Sequence, residues 1–265
     1  MTRPVRIERD GFVATITIDR PETRNAISDD DVIDGLIAAV EDVDADPDLR
    51  VAILTGAGSS FSSGGNLKKM LEDDMAGMPP PRTRQSYRRG IQRIPRAFEA
   101  VEIPLIAAVN GPAIGAGCDL ACMCDIRIAA ESARFAESFV KIGIVPGDGG
   151  AFLLQRVVGH ARAAEMALTG DTLSAAEALA IGLVSRVVPD GELLAAARGI
   201  ADRIAANPPI AVRMTKRLLR EARLGTLDGV LDHSASLQAV AHTTRDHAEA
   251  VAAFAERRAP RFTGA

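Results

Sequence analysis

A short apolar run that ends in glycine and leads toward a helix-like segment occurs twice, and it limits the possible folds more than any other feature. It appears in RVAILTGAG, residues 50–58, and again in IPLIAAVNG, residues 103–111. Runs of this kind suit strands buried on both faces, the usual condition in a parallel sheet. Parallel neighbours need a crossover, and the segments around these runs carry helical periodicity. Ser28 is the expected N-cap of one such helix. Asp29, Asp30 and Asp31 complement its positive end, and Val32, Leu36, Ala39, Val40 and Val43 form its apolar stripe. A second helix is expected from about Ala116, followed by the strand-like IRIAA. Strand, helix and strand in alternation predict right-handed βαβ units and an α/β fold.

The chain ahead of this core, VRIERDGFVATITID, reads as two strands joined at Asp10-Gly11, a strong hairpin signal. Residues 71–82, LEDDMAGMPPPR, read as a mobile loop. Beyond about residue 160 the strand signals fade. LSAAEALAIGLV carries a capping box, Ser174 with Glu177, and Gly182 as the expected C-cap. PDGELLAAARGIADRIAANPP reads as a further helix, and residues 227–258 as helical. The expected organisation is an α/β core over residues 1–200 and a helical region over residues 201–265.

Several functional classes are disfavoured. The formal net charge is -4, so the whole-molecule field does not attract nucleic acid or anionic lipid. No apolar run approaches the ~20 residues needed to cross a bilayer, and no signal-peptide core precedes the first strand, so a cytoplasmic location is expected. Cys118, Cys122 and Cys124 share one short apolar segment and read as buried small side chains. No metal site is expected. TGAGSSF and GAGCDL lack the third glycine of a dinucleotide-binding turn, and neither a P-loop nor a G-x-S-x-G elbow occurs.

What remains is a pair of glycine-rich turns, each after an apolar strand: FSSGGNL, residues 61–67, and NGPAIGAGCDL, residues 110–120. The first N–H groups of a helix lack intrahelical partners, and glycine admits close approach of a ligand. Two such turns facing one another could direct two N–H donors at one oxygen, which suits an enolate or a tetrahedral oxyanion. Plain turns are the other reading of the same residues.

IDRPETRNAIS, FSSGGNL, AAVNGPAIGAGCDLACMCDIRIA, KIGIVPGDGG and LTGDTLSAAEALAIGLVSRVV resemble, in that order, the enoyl-CoA hydratase/isomerase or crotonase family. The resemblance extends from about residue 5 to FAERRAPRF, nearly the whole chain. It implies a crotonase-like spiral of ββα units with a C-terminal helical trimerisation region, assembling as a homotrimer or a dimer of trimers. It also implies a coenzyme A thioester substrate, with no separate cofactor. The oxyanion donors would be the backbone N–H groups of Gly65 and Ala116. Asn66, which otherwise reads as a helix cap, stands where aspartate is common in the family. Arg24 and the Asn25-Ala26 turn would lie near the CoA. Phe254 and Arg257 would approach the CoA of a neighbouring subunit.

Hydratases of the family use two glutamates. The first corresponds to Asp119, and the second to Phe139, which departs from the pattern and would line the substrate space. Glu137 lies two residues earlier, displaced by about 6.6 Å along an extended segment. Asp148 is the better candidate for the missing carboxylate. Chlorobenzoyl-CoA dehalogenases and the family's oxo-camphor hydrolase are similar around VPGDG. Partial burial beside Phe139 should raise the pKa of Asp148. The expected activity is enolate-stabilised hydration of a 2-enoyl-CoA by Asp119 and Asp148. Double-bond isomerisation, carbon–carbon bond hydrolysis and dehalogenase-like chemistry at Asp148 are the alternatives. RNA binding through Arg82, Arg89, Arg93 and Arg96 is a remote one.

Overall fold

The computed structural model describes residues 3–72 and 77–265. Strands β1 (Val5–Asp10) and β2 (Val13–Ile18) form the expected antiparallel hairpin, with Asp10 opposite Val13. Helix α1 (Asp30–Ala45) and strand β3 (Val51–Gly56) follow. Helices α2 (Leu67–Glu72), α3 (Pro80–Arg89) and α4 (Arg93–Ala100) lead to strands β4 (Leu105–Val109) and β5 (Pro112–Ile114). Next come α5 (Ala116–Cys122), β6 (Ile126–Ala130), β7 (Arg134–Ala136), α6 (Gly150–Val158) and α7 (His160–Thr169). The order continues with β8 (Thr172–Ser174), α8 (Ala175–Ala180), β9 (Arg186–Val188) and α9 (Leu193–Ala205). It ends with α10 (Pro209–Ala222), α11 (Leu227–His242) and α12 (Arg245–Glu256).

The main sheet has six strands in the order β1-β2-β3-β4-β6-β9, and every pairing after the hairpin is parallel. A smaller sheet, β5-β7-β8, stands beside it. Because strand side chains alternate in direction, β3 contributes to two separate cores. Ala52 and Leu54 pack with Ile16, Leu36, Val40 and Phe98, whereas Val51 and Ile53 pack with Ile106, Ile128, Ala197 and Ala201. Helices α1 and α4 thus cover one face and α9 the other, which is why β4 is apolar throughout and β3 is apolar up to Thr55.

Several expectations change. Asp29, not Ser28, occupies the N-cap of α1; the Ser28 hydroxyl instead accepts the Asn66 N–H at 2.8 Å. The loop expected over residues 71–82 is shorter, since α2 runs to Glu72 and α3 starts at Pro80; residues 73–76 lie outside the described residues. Proline is tolerated in a first helical turn because its missing N–H would be unpaired there anyway. The four arginines expected to form one stripe are divided between α3 and α4, and Arg93 is paired with Asp34 at 2.6 Å. The continuous stripe on which the RNA reading rested is therefore not formed by a single helix. The final helical stretch is interrupted at Thr243–Thr244, where the Thr244 hydroxyl caps α12 by accepting the His247 N–H at 3.1 Å. The Ser174–Glu177 capping box is present, and Gly182, at φ 76°, follows the C-cap Ile181.

Helix α9 straddles the expected division at residue 200 and belongs by packing to the core. Helix α10, which follows, is fastened back by ion pairs. Lys216 Nζ lies 2.9 Å from Asp125 and donates to the Ile103 carbonyl at 2.7 Å, and Arg213 reaches Asp44 at 2.9 Å. Among the described residues no helix is long and apolar enough to cross a membrane.

Candidate active site

The two glycine-rich turns meet. The Ser62 N–H donates to the Pro112 carbonyl at 3.1 Å, and the Ile114 N–H returns a bond to the Ser62 carbonyl at 3.0 Å. Gly64 lies so close to the second turn that a Cβ there would be 2.3 Å from the Ile114 carbonyl oxygen and 2.9 Å from the Ala116 nitrogen. Its φ of 78° independently favours glycine. Immediately beyond this contact, the Gly65 and Ala116 N–H groups have no hydrogen-bond acceptor among the described residues. Ala116 opens α5, so its N–H points away from the helix. The result is a pair of unpartnered backbone N–H groups on the wall of one cleft.

The first turn is held by its own buried scaffold. Arg24 and Asn25 adopt left-handed conformations, at φ 55° and 58°. The Asn25 amide donates to the Ala57 and Ser60 carbonyls at 2.9 and 2.7 Å, while its oxygen accepts the Arg20 N–H at 3.0 Å. Arg24 lines the cleft. Ala26 is buried beneath it and bridges to Gly64, so it supports the donor loop instead of lining the cleft. Asn66 lines the cleft and also caps the start of α2: its Oδ1 accepts the Lys69 N–H at 3.2 Å. Both readings of Asn66 are therefore compatible.

The cleft has a volume of about 1080 Å³ and contains Gly65, Asn66, Tyr87, Ala116, Phe139 and Asp148 among its lining residues. Phe139 is buried with its ring against Gly115, where an added Cβ would be 3.5 Å from Cζ. Asp148 reaches the same cleft from the loop before α6. It is 6 % exposed, its Oδ1 has no hydrogen-bond partner, and burial pushes its pKa up to about 6. Three further carboxylates, Glu22, Asp30 and Asp34, line the cleft but are solvent-exposed.

Of the two carboxylates expected to act together, Asp148 lines the cleft and Asp119 lies behind its wall, close enough for the Asp148 charge to act on it. Asp119 is completely buried and does not line the cleft. Its carboxyl lies against Gly150, and its main neighbour is Glu137, itself only 1 % exposed. None of their four carboxyl oxygens accepts a well-formed hydrogen bond; each carboxyl instead faces the other, with the Cys118 thiol beside Glu137. Two buried carboxylates this close cannot both be charged cheaply, so the pair retains a proton. Burial, then the Glu137 charge, raises Asp119 well above the usual carboxylate range. Burial likewise raises Glu137 to about 7.

This arrangement has a consequence for stability. A carboxyl with a raised folded-state pKa binds its proton more tightly in the native chain than in the unfolded one. Stability is therefore lost as pH rises from about 4.5 through about 7. Glu137→Gln supplies a permanent N–H donor to Asp119. Its melting temperature should fall less between pH 6 and pH 8 than that of the wild type, whereas parallel curves would contradict a shared proton.

Phe254 and Arg257 do not line this cleft. Phe254 is 88 % exposed on α12, and Arg257 forms the left-handed C-cap of that helix. Tyr87 was not anticipated in the cleft. Its position depends on α3 folding back over the Asp148 loop, and no local pattern around it signals that contact. Cys118, Cys122 and Cys124 are all buried and free, as expected.

Residues 8–265 match the family described as enoyl-CoA hydratase/isomerase. The short-chain-enoyl-CoA hydratase of Clostridium acetobutylicum is 38% identical over 96% of this chain and 95% of its own length. The 1,2-epoxyphenylacetyl-CoA isomerase of Escherichia coli is 38% identical, covering 95% of each chain. The crystal structure of an enoyl-CoA hydratase from Bacillus anthracis matches with a TM-score of 0.92 at 34% identity, covering 99% of this chain and 100% of that one.

Proposed function

The chain belongs to the enoyl-CoA hydratase/isomerase family, and from that premise we propose that it adds water to the double bond of a 2-enoyl-CoA thioester. The single observation that carries this reading is the pair of unpartnered N–H groups, Gly65 and Ala116, beside the buried Asp148 carboxylate. The thioester oxygen lies between the two donors, which stabilise the negative charge it gains as the enolate forms. Asp148 takes a proton from water, and the water oxygen bonds to Cβ. The double-bond electrons move onto the thioester oxygen. As the enolate collapses, Asp148 returns its proton to Cα, so one carboxylate completes the cycle. Asp119 acts from behind the wall, where its shared proton limits the negative charge placed near Asp148. Coenzyme A enters as part of the substrate, and no further cofactor takes part.

Arg24 lies on the cleft and would contact the CoA end of the substrate. Assembly as a homotrimer or a dimer of trimers belongs to the same proposal. It is supported by the exposed apolar side chains of the C-terminal region, including Leu224, Leu227 and Phe254 at 72%, 73% and 88%. In such an assembly Phe254 and Arg257 would meet a neighbour's CoA.

One observation favours a second reading. Phe139 occupies the wall where a second carboxylate would stand, and a lone base suffices to move a proton between two carbons. Double-bond isomerisation uses the same enolate and the same Asp148. A panel of 2-enoyl- and 3-enoyl-CoA thioesters, followed by mass spectrometry, separates the reactions: hydration adds 18 Da, isomerisation leaves the mass unchanged and cleavage divides the acyl chain. Because Asp148 must be ionised to act as the base, kcat should rise through about pH 6 and then level off. Absence of any turnover across the panel would overturn the proposal.

A further inference from the structure

Tyr87 is fixed against Gly147, the residue before Asp148, both directly and through Gln92. The tyrosine ring packs edge-on against Gly147, where an added Cβ would lie 2.8 Å from Cε1 and 3.1 Å from Cδ1. The Gln92 side chain donates to the Gly147 carbonyl at 2.9 Å, and the Gln92 N–H donates to the Tyr87 carbonyl at 3.1 Å. The end of α3 is thereby tied to the loop that carries the cleft carboxylate. Both side chains line the same cleft as Gly65 and Ala116. Burial, followed by the Asp148 charge, raises the Tyr87 pKa, so the phenol stays neutral.

Each member of this pair has unused hydrogen-bonding capacity. Asp148 Oδ1 is buried without a partner, and the Tyr87 hydroxyl neither donates nor accepts a hydrogen bond with the described side chains. A buried polar atom such as Asp148 Oδ1 is ordinarily satisfied by water, and the half-buried Tyr87 side chain leaves its hydroxyl able to share one. A water with two acceptors has both hydrogens directed, which leaves an oxygen lone pair free to face the substrate.

We infer that Tyr87 is a catalytic residue: it and Asp148 together hold the water that adds to the enoyl thioester. This inference rests on the hydration reading above. Asp148 accepts and removes one hydrogen of the water as a proton, while Tyr87 Oη accepts a hydrogen bond from the other. The oxygen bonds to Cβ, the electron pair passes to the thioester oxygen, and Asp148 delivers its proton to Cα. The second hydrogen remains in the product hydroxyl, and Tyr87 gains and loses no atom. A phenol thus takes over the water-holding task that Phe139 cannot perform.

The test compares two reactions of one site. Hydration of crotonyl-CoA needs the oriented water. Exchange of the Cα hydrogens of butyryl-CoA in deuterium oxide needs only Asp148 and the two N–H donors. Tyr87→Phe keeps the ring that packs on Gly147 and should lower kcat for hydration roughly 10- to 100-fold, with KM and the exchange rate changed by less than about threefold. Unchanged hydration would overturn the assignment. So would a parallel loss of hydration and exchange, because it would make Tyr87 a structural support for Asp148. The control, Asp148→Asn, should lose both reactions; if it retains both, the underlying role of Asp148 fails whatever Tyr87 does. A wild-type protein that exchanges but does not hydrate removes the hydration reading and this inference with it.

Discussion

Asp148→Asn should lower kcat by about 10²- to 10⁴-fold while making the protein more stable above pH 7. The two effects have one cause. Asp148 is nearly buried, has an unpartnered oxygen and titrates at about 6 instead of 3.8. The folded chain therefore binds this proton more tightly than the unfolded chain, and stability falls as pH rises from 3.8 through about 6. At neutral pH the cost is on the order of 2–3 kcal/mol for a shift of this size. Asparagine removes the charge and its cost, but also the base. Denaturant melts of both proteins at pH 4 and pH 8 should show the gap opening only at the higher pH. Equal stability at pH 8, or a variant with wild-type turnover, would contradict the assignment of Asp148 as a strained, functional carboxylate.

The second large effect is expected at Gly64. In Gly64→Ala the new methyl group would lie 2.3 Å from the Ile114 carbonyl and 2.9 Å from the Ala116 nitrogen, so the two turns must separate. Separation misdirects the Gly65 and Ala116 donors, and loss of one such donor costs about 10²- to 10³-fold in kcat. The left-handed backbone adds roughly 1–2 kcal/mol of destabilisation. Gly182→Ala is the matched control: its φ is 76°, but nothing lies within 4 Å of an added Cβ. It should lower the melting temperature modestly and leave turnover unchanged. Turnover by Gly64→Ala comparable to that of Gly182→Ala would argue against the donor pair.

The sequence makes the frame of this site legible because its elements carry strong local signals. β4 is an uninterrupted apolar run and β3 begins with one, Asp10-Gly11 is a hairpin turn, and the two glycine-rich segments mark places of close approach. Strands β5, β7, β8 and β9 leave no such trace, since three residues are too few to establish a period. Asp148 can be singled out because a carboxylate among glycines on a loop is chemically conspicuous. The partnership of Asp119 with Glu137 cannot be read in the same way: α5 and the chain after β7 are brought together only by tertiary packing. Tyr87 is hidden for the same reason, its role arising from the fold of α3 over Gly147. Phe139 signalled an absent carboxylate, but only the folded chain reveals a hydroxyl nearby.

The two donors proposed for the thioester oxygen belong to the main chain, and the buried Asn25 amide bolts the first of their turns in place. Side-chain replacement can therefore alter the reaction without dismantling the seat for the electrophile. On the proposed reading, the part of the site that holds negative charge is backbone, whereas positions 87, 139 and 148 carry the side chains that line the cleft around it. Substitutions at those positions are then expected to shift the balance between adding water and moving a double bond while leaving the backbone seat for the thioester in place.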